Sequence, residues 1–329
     1  MTDPLPAGRD VAERYARFAR DEAPGRSAIY AEWAHGVAED PAMQRLLAPL
    51  ASPHRQPPVV FAVTRMLGAP LAGYDVWAAF VRERADEVIA ECAERTTQTN
   101  EPLRCAALLA ALERIPGPIA LLEVGASAGL CLFPDRFSYR FRAGDACAAA
   151  DPADGASSVT LACELRGGQP APAGSPEIVW RGGIDPQPRD AADPRDRAWI
   201  EGLVWPGETA RAARIAAALD IVAADPPHLV AGDAAEPGAL EALASRAPSD
   251  ATLVVTTPGV LPHIPRAGRE RLIETIRSLD ARWITLDAPR LHDAWTRPID
   301  PDSWPGFALA LDGDPIAAAD PLGSWLARV

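Results

Sequence analysis

Residues 121–130 read LLEVGASAGL, an apolar run that closes on an acid, Glu123, and then breaks into residues too small to fill space. The run begins at Ile119, and IALLEV (119–124) has the short, continuously apolar form of a strand buried on both faces of a parallel sheet. The segment after this strand can be read in two ways. As Gly125-x-Ser127-x-Gly129 it is the sharp turn that raises a serine nucleophile above a sheet. As a loop of nearly bare backbone it lets a nucleotide-like ligand approach the main chain.

The same texture recurs downstream. HLVAGDA (228–234), ATLVVTT (251–257) and ARWITLDAP (281–289) are short apolar runs, and GETARAARIAAALDIVAA (207–224) and RAGRERLIETIRSL (266–279) between them have helical spacing. Alternating strands and helices predict an α/β fold with right-handed crossovers and a doubly wound, mostly parallel sheet. Residues 135–185 interrupt the alternation. FSYRF, SSVTLACEL and EIVWRGGI, separated by Gly and Pro, predict extra strands there, a β insertion laid over the sheet edge. Within it, residues 143–156 are rich in Ala, Asp, Gly and Pro and read as the least ordered part of the chain. Near the C-terminus, WPGFALAL supplies one further candidate strand.

Upstream of the strand the pattern is helical. Apolar residues recur at three and four, as in Val11, Tyr15 and Phe18 and again in Val76, Phe80, Val88 and Ile89. PPVVFAVTRML (57–67) starts with β-branched residues but enters on Pro-Pro, which suits a helix start. The expected organisation is an N-terminal helical cap over residues 1–117 and an α/β domain over 118–329, with the insertion near 135–185.

Composition narrows the functional classes. A chain of 329 residues with 48% hydrophobic and 23% charged residues is an ordinary soluble globular composition with material for more than one core. No apolar run approaches the roughly 18 residues of a membrane span, and the first residues lack a signal-peptide core, so a cytoplasmic protein without membrane attachment is expected. The net charge is −13 and all 32 basic residues are Arg, dispersed along the chain. No basic stripe forms, so nucleic acid is not an expected partner. The five cysteines are odd in number and never in C-x-x-C spacing, which indicates neither a disulfide framework nor a zinc site, and no metal is expected. Nothing in the sequence speaks to oligomeric state.

A serine nucleophile needs a base and an acid to orient it. Ser127 with Asp233 or Asp287 and His263 or His292 has a workable chain order, but five histidines make such sets easy to assemble. Two features oppose it. The residues before IALLEV supply no earlier strand-to-helix loop for oxyanion donors, and Glu123 stands beside the serine with no hydrolytic role. Serine hydrolysis at Ser127 is the alternative reading.

The segment Glu123-Val-Gly125-Ala-Ser127-Ala-Gly129 resembles the first strand and loop of class I S-adenosylmethionine-dependent methyltransferases. Ala231-Gly232-Asp233-Ala234 is similar to the strand end that meets adenine in that fold, and LVVTTPGVLPHI to its fourth strand and the loop that meets the acceptor. The resemblance implies a Rossmann-like sheet and S-adenosylmethionine as cofactor, held by Glu123, Gly125, Ser127, Gly129, Asp233 and Ala234. It also implies methyl transfer to a small-molecule substrate. Small side chains would admit the cofactor to the backbone, and an acid would attract its positive charge. A second-strand acid for the ribose hydroxyls is implied too. Asp145 has the spacing if FSYRF is the second strand; Asp185 has the strand if EIVWRGGI is, and Asp185 is preferred.

The chain as a whole also resembles an uncharacterised bacterial family of domains of unknown function (number 2332). That resemblance runs through TNEPLRCAALL (99–109), LLEVGASAGLCLFPDRFSY (121–139), WRGGIDPQPRD (180–190), LVWPGETARAARIAAAL (203–219), PPHLVAGDA (226–234) and LVVTTPGVLPHI (253–264). It implies no reaction, so a non-catalytic binding module that keeps the fold is a third reading.

The remaining polar residues carry paired readings. Asn100 and Glu101 either cap the next helix or lie with Arg104 near the C-terminal end of the first strand, where ligands sit in open α/β sheets. Asn100, Arg104 and Arg181 are candidate substrate-binding residues. Arg181 and Asp185 flank Gly-Gly and equally read as a local ion pair across a turn, worth about 0 to 1 kcal/mol. Trp180, Trp199 and Trp205 read either as an apolar wall over the cofactor side or as core. His263, after the fourth strand, and Glu101 are the candidate general bases.

Overall fold

A computed structural model describes residues 6–329. The chain divides into two compact units, Met1–Thr99 with Asp193–Ala216, and Asn100–Ala192 with Ala217–Val329.

The first unit is helical: α1 (Pro6–Arg17), α2 (Ala28–Glu39), α3 (Pro41–Leu47), α4 (Pro57–Met66), α5 (Tyr74–Glu83) and α6 (Ala85–Ala93). Local chemistry starts these helices. The Ser27 hydroxyl accepts from the Tyr30 N–H at α2, and the Asp40 carboxylate accepts from Ala42 and Met43 at α3, each satisfying an otherwise orphaned first-turn amide. The β-branched run after Pro57 is helical as expected, with proline in its first turn. An aromatic core of Tyr15, Phe18, Tyr30, Trp33, Phe61 and Trp77 holds the unit, with ring centroids 4.8 to 6.0 Å apart. Trp205 joins this core 5.0 Å from Phe18, and Trp199 lies under the Arg95 guanidinium at 4.7 Å. Both belong to the helical unit, and Trp180 belongs to the other.

The second unit opens with α7 (Cys105–Leu112), every residue of which is buried. It packs against strands of the sheet and is buried throughout, so its composition is apolar all round instead of striped. The strands are β1 (Ile119–Val124), β2 (Ser138–Ala143), β3 (Ala146–Ala150), β4 (Thr160–Arg166), β5 (Ile178–Asp185), β6 (His228–Ala231), β7 (Thr252–Pro258), β8 (Arg282–Asp287), β9 (Phe307–Leu311), β10 (Asp314–Ala319) and β11 (Trp325–Ala327). The unit's helices also include α10 (Ala239–Ala244) and α11 (Arg266–Ser278), whereas α8 (Pro194–Gly202) belongs to the first unit and α9 (Thr209–Ala224) begins in the first and ends in the second.

All eleven strands form one sheet in the order β3-β2-β4-β11-β10-β9-β8-β7-β1-β5-β6. The fold is mixed α/β with a mostly parallel sheet. β5 and β7 flank β1, β6 lies outside β5 and β8 outside β7, all parallel. The chain therefore builds outward from β1 in one direction and then in the other. β1 is buried along its whole length, which explains why it reads as an unbroken apolar run. β9 and β10 continue the sheet antiparallel, and β11 joins β10 to β4.

Four expectations change. EIVWRGGI is β5, directly beside β1, so it is part of the central sheet and not of an edge insertion; β2, β3 and β4 form the far end. Residues 146–150 are a strand, because they pair along their length with β2, and an Arg140–Asp151 ion pair at 2.9 Å adjoins that pairing. Gly182 and Gly183 are mid-strand, not a turn: a Cβ on Gly183 would lie 2.5 Å from that of Ala126 and 2.7 Å from the Leu229 side chain, and one on Gly182 would strike the Trp180 ring. The C-terminal segment supplies three strands instead of one, with Pro315 at a register irregularity that excuses its missing N–H. Among the described residues no helix is long and apolar enough to cross a membrane.

Candidate functional site

The reversal of strand order at β1 brings five strand ends together on one rim, the usual position for a ligand crevice in parallel sheets. Glu123 lies near the end of β1, Asp185 ends β5, Asp233 follows β6, Pro258 ends β7 with Gly259 next, and Asp287 ends β8.

The loop after β1 is held by its own amides. Gly125 and Ala126 N–H donate to the Ile184 carbonyl at 2.8 and 3.4 Å, and Gly129 N–H to the Ala126 carbonyl at 2.6 Å. Ser127 N–H donates to Asp185 Oδ2 at 2.9 Å and Ala128 N–H to Asn100 Oδ1 at 3.3 Å. All five donors are used, so the loop has no spare amide with which to cradle a phosphate. Backbone φ is +75° at Gly125 and Gly129 and +47° at Ser127, a left-handed conformation unusual for a side-chain-bearing residue. The faces that glycine leaves bare are covered by the protein itself. A Cβ on Gly125 would lie 2.5 Å from Val260 Cγ2 and one on Gly129 2.9 Å from Pro227 Cγ, so the small residues answer to packing here and not to an open approach along the main chain.

Asp185 braces this loop through Oδ2, while its Oδ1 accepts from Gln187 N–H at 2.7 Å in the segment after β5. Asp233 is exposed and its Oδ1 accepts from Ala235 N–H at 2.8 Å, while Ala234 is buried. The Gly232 N–H donates to the Asp185 carbonyl at 3.0 Å and ties the ends of β5 and β6 together.

Several buried polar atoms around the rim have no protein partner: Asn100 Nδ2, Glu123 Oε2, Ser127 Oγ and Asp287 Oδ1. Native interiors rarely leave such groups unpaired, which makes their gathering here a sign of a ligand or ordered water. Burial, reinforced by Cys131 and Asp185, pushes the Glu123 carboxyl well above the usual carboxylate range against the opposing charge of Arg104. Asp287 is fully buried, and burial pushes it up to about 7 despite the Leu261 and Ala288 amides and the charges of Arg104 and Arg269. Partial desolvation and then Arg104 lower the His263 imidazole below its ordinary value. Arg104 thus sets the field across the site. Its Nη1 donates to the Pro258 carbonyl at 2.9 Å and its Nε to the Pro321 carbonyl at 3.0 Å.

Other predicted residues take different roles. Glu101 Oε1 accepts from Leu103 N–H at 3.0 Å and caps the short turn before α7, whereas Asn100 does not cap that turn but holds Ala128. Arg181 lies away from the rim, opposite Leu121 in mid-strand. It pairs with Asp135 at 2.7 Å, donates to the Leu132 carbonyl and sits 4.4 Å from the Phe133 ring centre, so no Arg181–Asp185 pair forms. All five cysteines are free, and only Cys147 is exposed. Cys105 Sγ lies 3.7 Å from the Cys131 carbonyl and Cys131 Sγ 3.5 Å from the Glu101 carbonyl, linking the loop to the start of α7. Asp287 has no cofactor or substrate role in the sequence reading; its signal is an acid closing an apolar run, as at Glu123. Among the described residues no three His, Cys, Asp or Glu side chains are grouped to hold a metal. A cavity of about 980 Å³ lies away from this rim, against the starts of β5 and β6, between Trp180, Asp225 and His228.

A protein family described as "uncharacterized protein conserved in bacteria (DUF2332)" matches residues 69–328. No curated protein and no solved structure matches the chain.

Proposed function

The chain belongs to this bacterial family of uncharacterized proteins, and for it we propose S-adenosylmethionine-dependent methyl transfer to a small-molecule acceptor on a Rossmann-like sheet. The observation that carries the reading is the reversal of strand order at β1, with carboxyls closing β1 and β5 and Asp233 beyond β6 on one side of it. S-adenosylmethionine carries a sulfonium and an α-ammonium beside its α-carboxylate and has no phosphate, which suits a loop with acids beside it and no free amides. The ligand would meet Glu123, Asp185 and Asp233 side chains, since Val260 and Pro227 cover the glycines. The bound cofactor supplies an already activated methyl group.

The protein's own task is then orientation and a dry site, which needs no catalytic triad. Asn100 and Arg104 lie on the acceptor side. His263, with its pKa lowered, is neutral at neutral pH and able to take the acceptor's proton, whereas Glu101 is engaged in capping. Two details disfavour serine hydrolysis. The Ser127 hydroxyl has no hydrogen-bond partner, and the following amide, Ala128, which an oxyanion hole would need, is engaged by Asn100.

Thermal melting with S-adenosylhomocysteine tests the reading. The melting temperature is expected to rise with ligand as RT ln(1 + [L]/Kd), and the rise to shrink in Asp233→Ala, whose exposed position leaves the fold intact. No rise at millimolar ligand overturns the proposal. Labelling of Ser127 by a fluorophosphonate would revive hydrolysis, and binding without turnover over a wide acceptor panel would favour a non-catalytic module.

A further inference from the structure

Arg104 is 8% exposed, yet no carboxylate among the described residues forms an ion pair with it. Its protein partners are two neutral carbonyls, Pro258 and Pro321, which occupy Nη1 and Nε. A buried charge normally has a counter-charge. The nearby acids do not supply it at contact distance: Asp185 is engaged by Ser127 and Gln187 amides, and neither Glu123 Oε2 nor Asp287 Oδ1 has any partner. Nη2 is accepted by no protein group. It stands against Gly259, where a Cβ would lie 2.8 Å away, so a side chain at that position would crowd this nitrogen. Gly259 sits at φ +72°, which itself favours glycine, so the close approach of its backbone to the guanidinium and the turn are one feature.

A second, independent observation points to an anion. Asn100 Nδ2 on the same rim is a buried donor without an acceptor. Two donors lacking acceptors, one of them on a cation, call for an oxygen-rich ligand group of negative charge. We infer that the face of the site formed by Arg104 Nη2 and Asn100 Nδ2 binds a carboxylate, and that the methyl acceptor is a small carboxylic acid. A single negative charge balances the one guanidinium. A phosphate, carrying close to two, would face Glu123 and Asp287 with charge left over. The high pKa of both acids agrees with this, because each presents an O–H and not a second negative charge when protonated. Naming the acceptor rests on the methyl-transfer reading; the anion site does not.

The full-length chain tests it by thermal melting with benzoate, benzamide and inorganic phosphate at equal ionic strength. Benzoate is expected to raise the melting temperature at millimolar concentration while benzamide does not, and Arg104→Gln to weaken benzoate binding by about tenfold or more, the usual effect of losing a charged hydrogen bond. Equal responses to benzoate and benzamide, a benzoate response kept in Arg104→Gln, or a response to phosphate alone each overturn the inference. Arg104 also holds two carbonyls, so should the variant fail to fold, a crystal structure of the wild type in benzoate decides: a carboxylate on Nη2 supports the site, and its absence there overturns it. S-adenosylhomocysteine in the same assay separates the two readings. A benzoate response without a nucleoside response leaves the anion site standing and removes the cofactor; the reverse removes the anion site alone.

Discussion

Asp287 ends β8 with no exposure to solvent and one carboxylate oxygen unpartnered, an arrangement that weakens the fold at neutral pH. Its pKa stands at about 7 against an ordinary 3.8, so the folded state holds the proton more tightly than the unfolded one. The associated stability is fully present below about pH 4 and is lost as pH rises through about 7. Asp287→Asn removes the dependence. About three pKa units at ~1.4 kcal/mol each set an upper bound of about 4 kcal/mol, so the variant is expected to be more stable than the wild type at pH 8 and no more stable at pH 4. Urea unfolding at the two pH values measures this, and an unchanged or lower stability at pH 8 would contradict it. Glu123 shifts in the same direction for the same reason. Two buried acids kept at a cost in stability on one rim are what a site under functional demand looks like, and a core optimised for stability alone would replace them.

Elements show where sequence and structure agree and where tertiary context intervenes. The runs at 119–124, 251–257 and 281–289 were legible as strands because β1, β7 and β8 are buried well enough to need continuous apolar residues. β3 was not, because its Ala-rich residues lie exposed and give no apolar pattern although they pair with the adjoining β2, and β11 was not, because a three-residue bridge takes its conformation from β4, far away in sequence. Gly182-Gly183 read as a turn because paired glycines usually punctuate; here they are strand residues crowded by Trp180, Ala126 and Leu229. The acids of the candidate site were visible as residues closing apolar runs, but which of them stay unpartnered depends on amides and on Arg104, supplied by separate segments. Glycines on either side of β1 yield a graded test. Gly117→Ala, at φ +80° with open space around it, is expected to cost about 1 kcal/mol for backbone strain alone. Gly125→Ala adds a 2.5 Å clash with Val260 at a similar φ and is expected to cost about 2–4 kcal/mol. Denaturant unfolding of both variants decides; equal costs would mean that Val260 yields freely and that the loop is looser than its packing.

At the scale of the whole sheet, continuity depends on its shortest strand. β11 has three residues and is the one connection in the strand order between β2–β4 and β10. Glu164 N–H donates to the Ser324 carbonyl at 2.9 Å and Arg328 N–H to the Arg166 carbonyl at 3.2 Å, so β4 is stitched to the C-terminal segment on both sides of β11. That segment also reaches the site, because the Pro321 carbonyl just before it holds Arg104. Removing residues 323–329 separates the two roles, deleting β11 while keeping Pro321. Amides of β2 and β4 are then expected to lose hydrogen-exchange protection by about 100-fold or more, equivalent to about 3 kcal/mol of local stability, with β1, β5 and β7 unaffected. The benzoate response at Arg104 should survive, since its anchoring carbonyls remain. Unchanged protection in β2 and β4 would mean that the packing of β4 on α7 and on the 102–104 turn is sufficient without the strand. A lost benzoate response with those strands still protected would show that β11 acts on the site through Arg104 and not through the sheet.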